Sequence, residues 1–167
     1  PLTQQTWGYL AYDDRYCYLG VIGEERARKV LADDPYNIWK NDCIEAYWER
    51  ADGSVYQLVA DVRGAKRAGG HYKGVNCDEV KVSSRVMSGK GFVIFIAVPW
   101  TTLKVDSPDA GKKIKFNLCR SRQGREPEYG NWGLGERRYA EPENFGTLML
   151  GLFNAGQGRA EEILLRK

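Results

Sequence analysis

The sequence predicts an all-β fold, an antiparallel β-sandwich of jelly-roll type with a short C-terminal helix. Short runs rich in Val, Ile, Tyr, Phe and Trp recur along the chain with period-2 alternation. The gaps between them carry Gly, Asp, Asn and Pro turn clusters, and only AEEILLRK at the carboxyl end has a plainly helical pattern.

In chain order, the first two strands are 9–12 and 16–22, joined by YDDR, and GEERARKVLADD at 23–34 fits either a short helix or a charged loop. Strand 43–49 follows. Its alternation sets Ile44, Ala46 and Trp48 on a core face and Cys43, Glu45, Tyr47 and Glu49 on the other. The turn ADG returns the chain along 55–62, where Gln57 and Asp61 share a face that adjoins Glu45 if the two strands pair. After the turn-rich RGAKRAGGHYKG come strands 80–87 and 92–98 around the tight hairpin MSGKG, then DSPDAGKK, strand 114–120, a glycine-rich loop around EYGNWGLG and strand 147–152. Residues 1–152 therefore form one sandwich domain. Residues 153–167, opening on FNAGQG, read as a linker and helical tail.

A chain of 167 residues is long enough for one core and short for two ordinary domains. Its 25 basic and 22 acidic residues are scattered, without the basic block that a nucleic-acid partner would favour. The longest apolar run, 92–100, is far below the roughly 20 residues that cross a bilayer, so no membrane partner is expected. The start, PLTQQTWGY, lacks the basic and apolar segments of a secretion signal, as a processed or excised chain also would. Cys17, Cys43, Cys77 and Cys119 form no CxxC pair; they read as small buried hydrophobes, or as one or two disulfides.

The lone histidine, His71, sits in a Gly- and Lys-rich loop, which argues against a histidine-based triad, zinc site or haem site. GAKRAGG lacks the spacing and ending of a phosphate loop. Glu45 and Asp61 are the candidate pair if a glycosidic bond were hydrolysed, and Asp13, Asp14, Asp33, Asp34, Asp106 and Asp109 could ligate a structural calcium through oxygen. The ten tyrosines and five tryptophans are more telling. Sugar rings stack an apolar C–H face on aromatic rings and offer hydroxyls to planar Glu, Asp, Gln, Asn or Arg groups. Trp39, just ahead of the strand bearing Glu45, is where a core tryptophan is least expected.

The order of IWKNDCIEAYW, VYQLVADVRGAK, GFVIFIAVPWTTL, GKKIKFNLCRSR, NWG and AEPENFGTLML, from about Trp7 to Leu150, resembles carbohydrate-binding module family 9. The resemblance implies a jelly-roll sandwich that binds sugar without cleaving it, secreted, and joined to a catalytic domain that it targets to a polymer such as cellulose or xylan. Carried over by position, Trp39 is the first clamping aromatic, Glu45 the carboxylate, and Tyr139, three residues before Pro142, the second aromatic where an indole is usual. Trp132 matches a tryptophan that packs structurally and ranks below Tyr139. Two departures stand out: Val59 replaces an arginine two residues past Gln57, and Glu136 replaces an amide three residues before Tyr139. Arg63, Arg120 or Arg122 would have to compensate; otherwise the domain keeps the sandwich as a structural or interaction module without sugar binding.

Overall fold

The computed structural model describes residues 4–27, 29–69, 76–106, 108–133 and 140–151, with the backbone of 161–164. Among them are eleven strands: β1 (Thr6–Tyr12), β2 (Tyr16–Glu24), β3 (Cys43–Glu49), β4 (Val55–Asp61), β5 (Lys66–Ala68), β6 (Lys81–Met87), β7 (Gly91–Pro99), β8 (Lys113–Arg122), β9 (Glu128–Asn131), β10 (Gly146–Met149) and β11 (Glu161–Leu164). They form two antiparallel sheets. One has the order β11-β1-β2-β7-β6; the other runs β10-β8-β3-β4-β5, with β9 also paired to β8.

The two inner faces supply the core. Leu19, Val21, Phe92, Ile94 and Ile96 of the first sheet meet Ile44, Trp48, Tyr56, Leu58, Phe116 and Leu118 of the second, all fully or almost fully buried. The Trp48 ring lies 5.2 Å from that of Phe116 and 6.1 Å from that of Tyr56, the close aromatic packing that dominates such cores. Turn chemistry sets the registers. In the β3–β4 loop the Gly53 N–H donates to the Arg50 carbonyl at 2.9 Å with φ +79°, a conformation that glycine adopts without strain, and Glu49 consequently pairs with Val55.

All eight expected strands are present. The helix expected at the carboxyl end is instead β11, paired with β1 in the register Trp7↔Leu164 to Leu10↔Glu161. An isolated helix this short is marginal in water, whereas β1 otherwise offers an open edge of backbone donors and acceptors. Strands β5 and β9, three and four residues long, are too short and polar for alternation to reveal. Of the segment 23–34, Gly23 and Glu24 end β2 and the rest is loop rather than helix where described. All four cysteines are free thiols, with Cys17, Cys43 and Cys119 buried, so the disulfide alternative is not realised.

Candidate functional site

The outer face of the second sheet collects the polar groups that strand parity assigned to it. Because Trp48 and Ala46 point into the core, Glu45 and Tyr47 point out, and the β3–β4 register sets Tyr47 beside Gln57 and Glu45 beside Val59. Glu45 Oε2 accepts hydrogen bonds from the Tyr47 hydroxyl at 2.8 Å and from Gln57 Nε2 at 2.9 Å. Gln57 Nε2 also lies 3.1 Å from the Tyr47 oxygen, closing a three-residue network. The carboxylate is only 4% exposed, yet Oε1 accepts no hydrogen bond among the described residues. A carboxylate held this way keeps one oxygen for an outside donor.

Trp39 stands at one side of this network, in the 3-10 turn Ile38–Lys40 that leads into β3. The Asn37 side chain caps the turn, accepting from the Trp39 N–H at 3.1 Å. The half-buried indole, like Ala65, packs against the buried cluster of Ile38, Cys43 and Val59. Above it lies the Arg67 guanidinium, 5.0 Å from the ring centroid. Arg67 sits on β5 directly across from Val59.

Asp61 shares the outer face with Gln57 but is fully buried and serves the loop that carries Trp39. Its Oδ1 accepts from the N–H groups of Arg63 and Ala65 at 2.9 and 3.0 Å; its Oδ2 accepts from Asn41 Nδ2 at 2.8 Å and Arg63 Nε at 3.0 Å. Asn41 in turn grips the Asp34 backbone through both amide atoms, and Asp34 Oδ1 accepts from the N–H groups of Tyr36 and Asn37. A hydrogen-bonded chain thus runs from Asp61 to the turn that orients Trp39. The Tyr36 and Asn37 amides hold the Asp34 carboxyl below its ordinary value of 3.8.

On the other side of the network, Tyr47 packs with Val55, Cys119 and Phe145, its ring 5.9 Å from that of Phe145. Asn117 Oδ1 accepts from the Gly133 N–H at 2.7 Å, and Ala140 packs against the Tyr47 cluster. The described chain therefore leaves at Gly133 and returns at Ala140 beside Tyr47. Tyr139 and Glu136 fall between these points, outside the described residues.

Arg120 and Trp132 do not join the group. Arg120 has the parity of Phe116 and Leu118, and its side chain is buried between the sheets, donating to the Gln5 and Glu24 carbonyls and to Thr6 Oγ1 and stacking over Phe92. Arg122 is engaged by Glu25 and Glu128, and Arg63 by Asp61. Trp132 packs on the core side, 5.8 Å from Phe116 and over Gly146, where a Cβ would come within 2.3 Å of the indole. The turn aspartates are spread apart: Asp13 accepts from its own turn and from the Tyr18 hydroxyl. Among the described residues no group of three or more His, Cys, Asp or Glu side chains is arranged to hold a metal.

A family 9 carbohydrate-binding module from Caldicellulosiruptor kristjanssonii, solved with cellotriose, superposes with a TM-score of 0.73 over 93% of this chain and 79% of that one, at 10% identity. The fold is that of carbohydrate-binding module family 9. The C. kristjanssonii family 9 module solved with glucose also gives 0.73, at 11% identity over 94% and 82% of the two chains. A putative carbohydrate-binding protein from Bacteroides uniformis gives 0.68 at 20% identity, over 88% of this chain and 78% of that chain. No protein-family model and no curated protein matches the sequence. Sequence reasoning passes over Arg67, the cation above the Trp39 ring. Its signal lies in the Val59 departure, which directs attention to the facing strand β5, where the sequence pattern suggests only a loop.

Proposed function

We propose that the domain is a noncatalytic carbohydrate-binding module whose site is the outer face of the second sheet. The observation that carries this reading is the Glu45 carboxylate, fixed by Tyr47 and Gln57 through one oxygen and with its other oxygen accepting no hydrogen bond among the described residues, near the half-buried Trp39 ring. In this reading the indole stacks on a pyranose face while Glu45 Oε1 accepts from adjacent sugar hydroxyls. Arg67, across from Val59, supplies the guanidinium that the family places on the neighbouring strand. Tyr139, which precedes Ala140 in sequence, is proposed as the second ring, and Glu136, three residues before it, as a polar group of the site. Asp61 acts by positioning Trp39, and Arg120 and Trp132 by supporting the sandwich.

The ligand class is a glucan or xylan, as oligosaccharide or polymer. The domain is proposed to be secreted and to hold a covalently attached enzyme near its substrate; one stacked ring or two and a few charge-assisted hydrogen bonds support affinities on the order of micromolar to millimolar, which suits tethered targeting. Calorimetric titration with glucose, cellobiose, xylobiose and insoluble glucans tests it. Binding that Trp39→Ala and Glu45→Gln both abolish is expected; heat from none of these ligands, or binding indifferent to both variants, overturns it. One observation favours the rival reading of an interaction domain without sugar binding: Arg67 occupies a face of the Trp39 ring. Arg67→Ala separates the two, since the rival predicts no sugar binding with or without it.

A further inference from the structure

The outer face of the first sheet carries a second cluster of aromatics, and it is built unlike an ordinary solvated face. Phe95 lies in the middle of β7, a strand flanked by β2 and β6, and is 47% exposed. Its partner across β2 is Gly20, and the partner of Tyr18 across β7 is Ala97. A Cβ built on Gly20 would sit 3.9 Å from Phe95 Cδ2, so the phenyl ring comes to ordinary van der Waals distance of that position. Phe95 and Tyr18 stack, 25° from parallel with centroids 6.0 Å apart, and the Tyr16 ring, tilted 36° to that of Tyr18, continues the row at 5.9 Å.

The rim of this row is polar and cationic. Lys81 Nζ lies over the Tyr16 ring, 5.1 Å from its centroid, and the Arg15 guanidinium over the same ring at 5.5 Å, while Ser83 stands across from Phe95 on β6. The Tyr18 hydroxyl donates to Asp13, whose carboxylate is also held by its own turn amides and so is engaged within the protein. Tyr16, Tyr18, Phe95, Lys81, Ser83 and Ala97 line a shallow depression of about 280 Å³.

We infer that this row is a second glycan-binding platform, distinct from the Trp39 face, and that its occupant is an acidic oligosaccharide bearing uronate carboxylates. An exposed row of aromatic rings along a shallow depression suits the C–H faces of consecutive pyranose units. The charge complement selects the acidic sugar: Lys81 and Arg15 meet its carboxylates, and Ser83 and the Tyr18 hydroxyl its hydroxyl groups.

Trigalacturonate is the probe, titrated into the wild-type chain and followed by amide chemical shifts, with cellotriose in a parallel titration. Trigalacturonate shifts the amides of Tyr18, Phe95 and Lys81, and does so equally in Trp39→Ala, so failure of the Trp39 site and failure of this one are distinguishable. Phe95→Ser and, separately, the surface change Lys81→Gln each weaken trigalacturonate about tenfold, with melting temperature monitored to show that both variants fold. Raising salt from about 0.1 M to 1 M, which shortens the screening length from about 10 Å to 3 Å, weakens it further. No shift at these amides, equal or tighter binding of cellotriose there, or a self-association through this face that Phe95→Ser abolishes would each overturn the inference.

Discussion

Asp61→Asn tests whether the buried aspartate is the anchor of the Trp39 loop. The substitution preserves shape and leaves Oδ1 to accept from the Arg63 and Ala65 amides. It replaces Oδ2 with an amide donor that confronts two other donors, Asn41 Nδ2 and Arg63 Nε. Asn41 cannot flip to compensate without loss, because its Oδ1 and Nδ2 already engage the N–H and carbonyl of Asp34. Each bond to a charged acceptor contributes roughly 1.5–3 kcal/mol. Arg63, with 29% of its side chain exposed, can turn to water, which places the total at the lower end, about 3 kcal/mol. For a chain of this size that is a fall in melting temperature of about 6–12 °C. Calorimetric melting and urea unfolding read it directly. Sugar affinity should fall in the same variant although Asp61 is buried away from any ligand, because the chain through Asn41 and Asp34 ends at the turn orienting Trp39. A loss below about 1 kcal/mol with unchanged affinity would refute the reasoning.

Burial pushes the Cys17 thiol up to about 12 and raises Cys43 and Cys119 strongly as well. At pH 8 the thiolate fraction of Cys17 is then about 10⁻⁴, so a disulfide reagent should find at most one fast thiol, Cys77, in the folded protein and four after unfolding; fewer than four would contradict the free-thiol assignment. Gly146→Ala drives a methyl into the Trp132 indole and should cost about 1–3 kcal/mol by urea unfolding, and a neutral result would show that Trp132 is loosely held. Because the Asp34 carboxyl is depressed in the folded state, its contribution to the Trp39 loop is fully present above 3.8 and is lost only as pH falls through the lower folded value. The Tyr36 and Asn37 amide shifts should therefore titrate with a midpoint below 3.8, and a midpoint above it would contradict the hydrogen bonds assigned to them.

Much of this architecture was readable because a strand has only two faces. Period-2 parity and the ADG turn were enough to bring Glu45, Tyr47 and Gln57 together, and the network among them follows from that register. The same parity places Arg120 with Phe116 and Leu118 inside the sandwich, a signal that its charge obscured, since buried arginines are uncommon without partners. The burial of Asp61 was not readable, because the Asn41 contact that accompanies it comes from a loop twenty residues away in sequence. Arg67 was hidden for a simpler reason: KRA is three residues long in a Gly- and Lys-rich stretch, and a strand of that length takes its shape from its neighbour β4. The carboxyl-terminal strand shows the same tertiary override, with the edge of β1 deciding against a local helical pattern.

The most direct test of the Trp39 face is a crystal of the domain grown with cellobiose. The account predicts a pyranose ring stacked on the Trp39 indole, with a sugar hydroxyl within hydrogen-bond distance of Glu45 Oε1. A fully occupied ligand bound elsewhere, or a Glu45 carboxylate sealed from solvent by the chain itself, would contradict it.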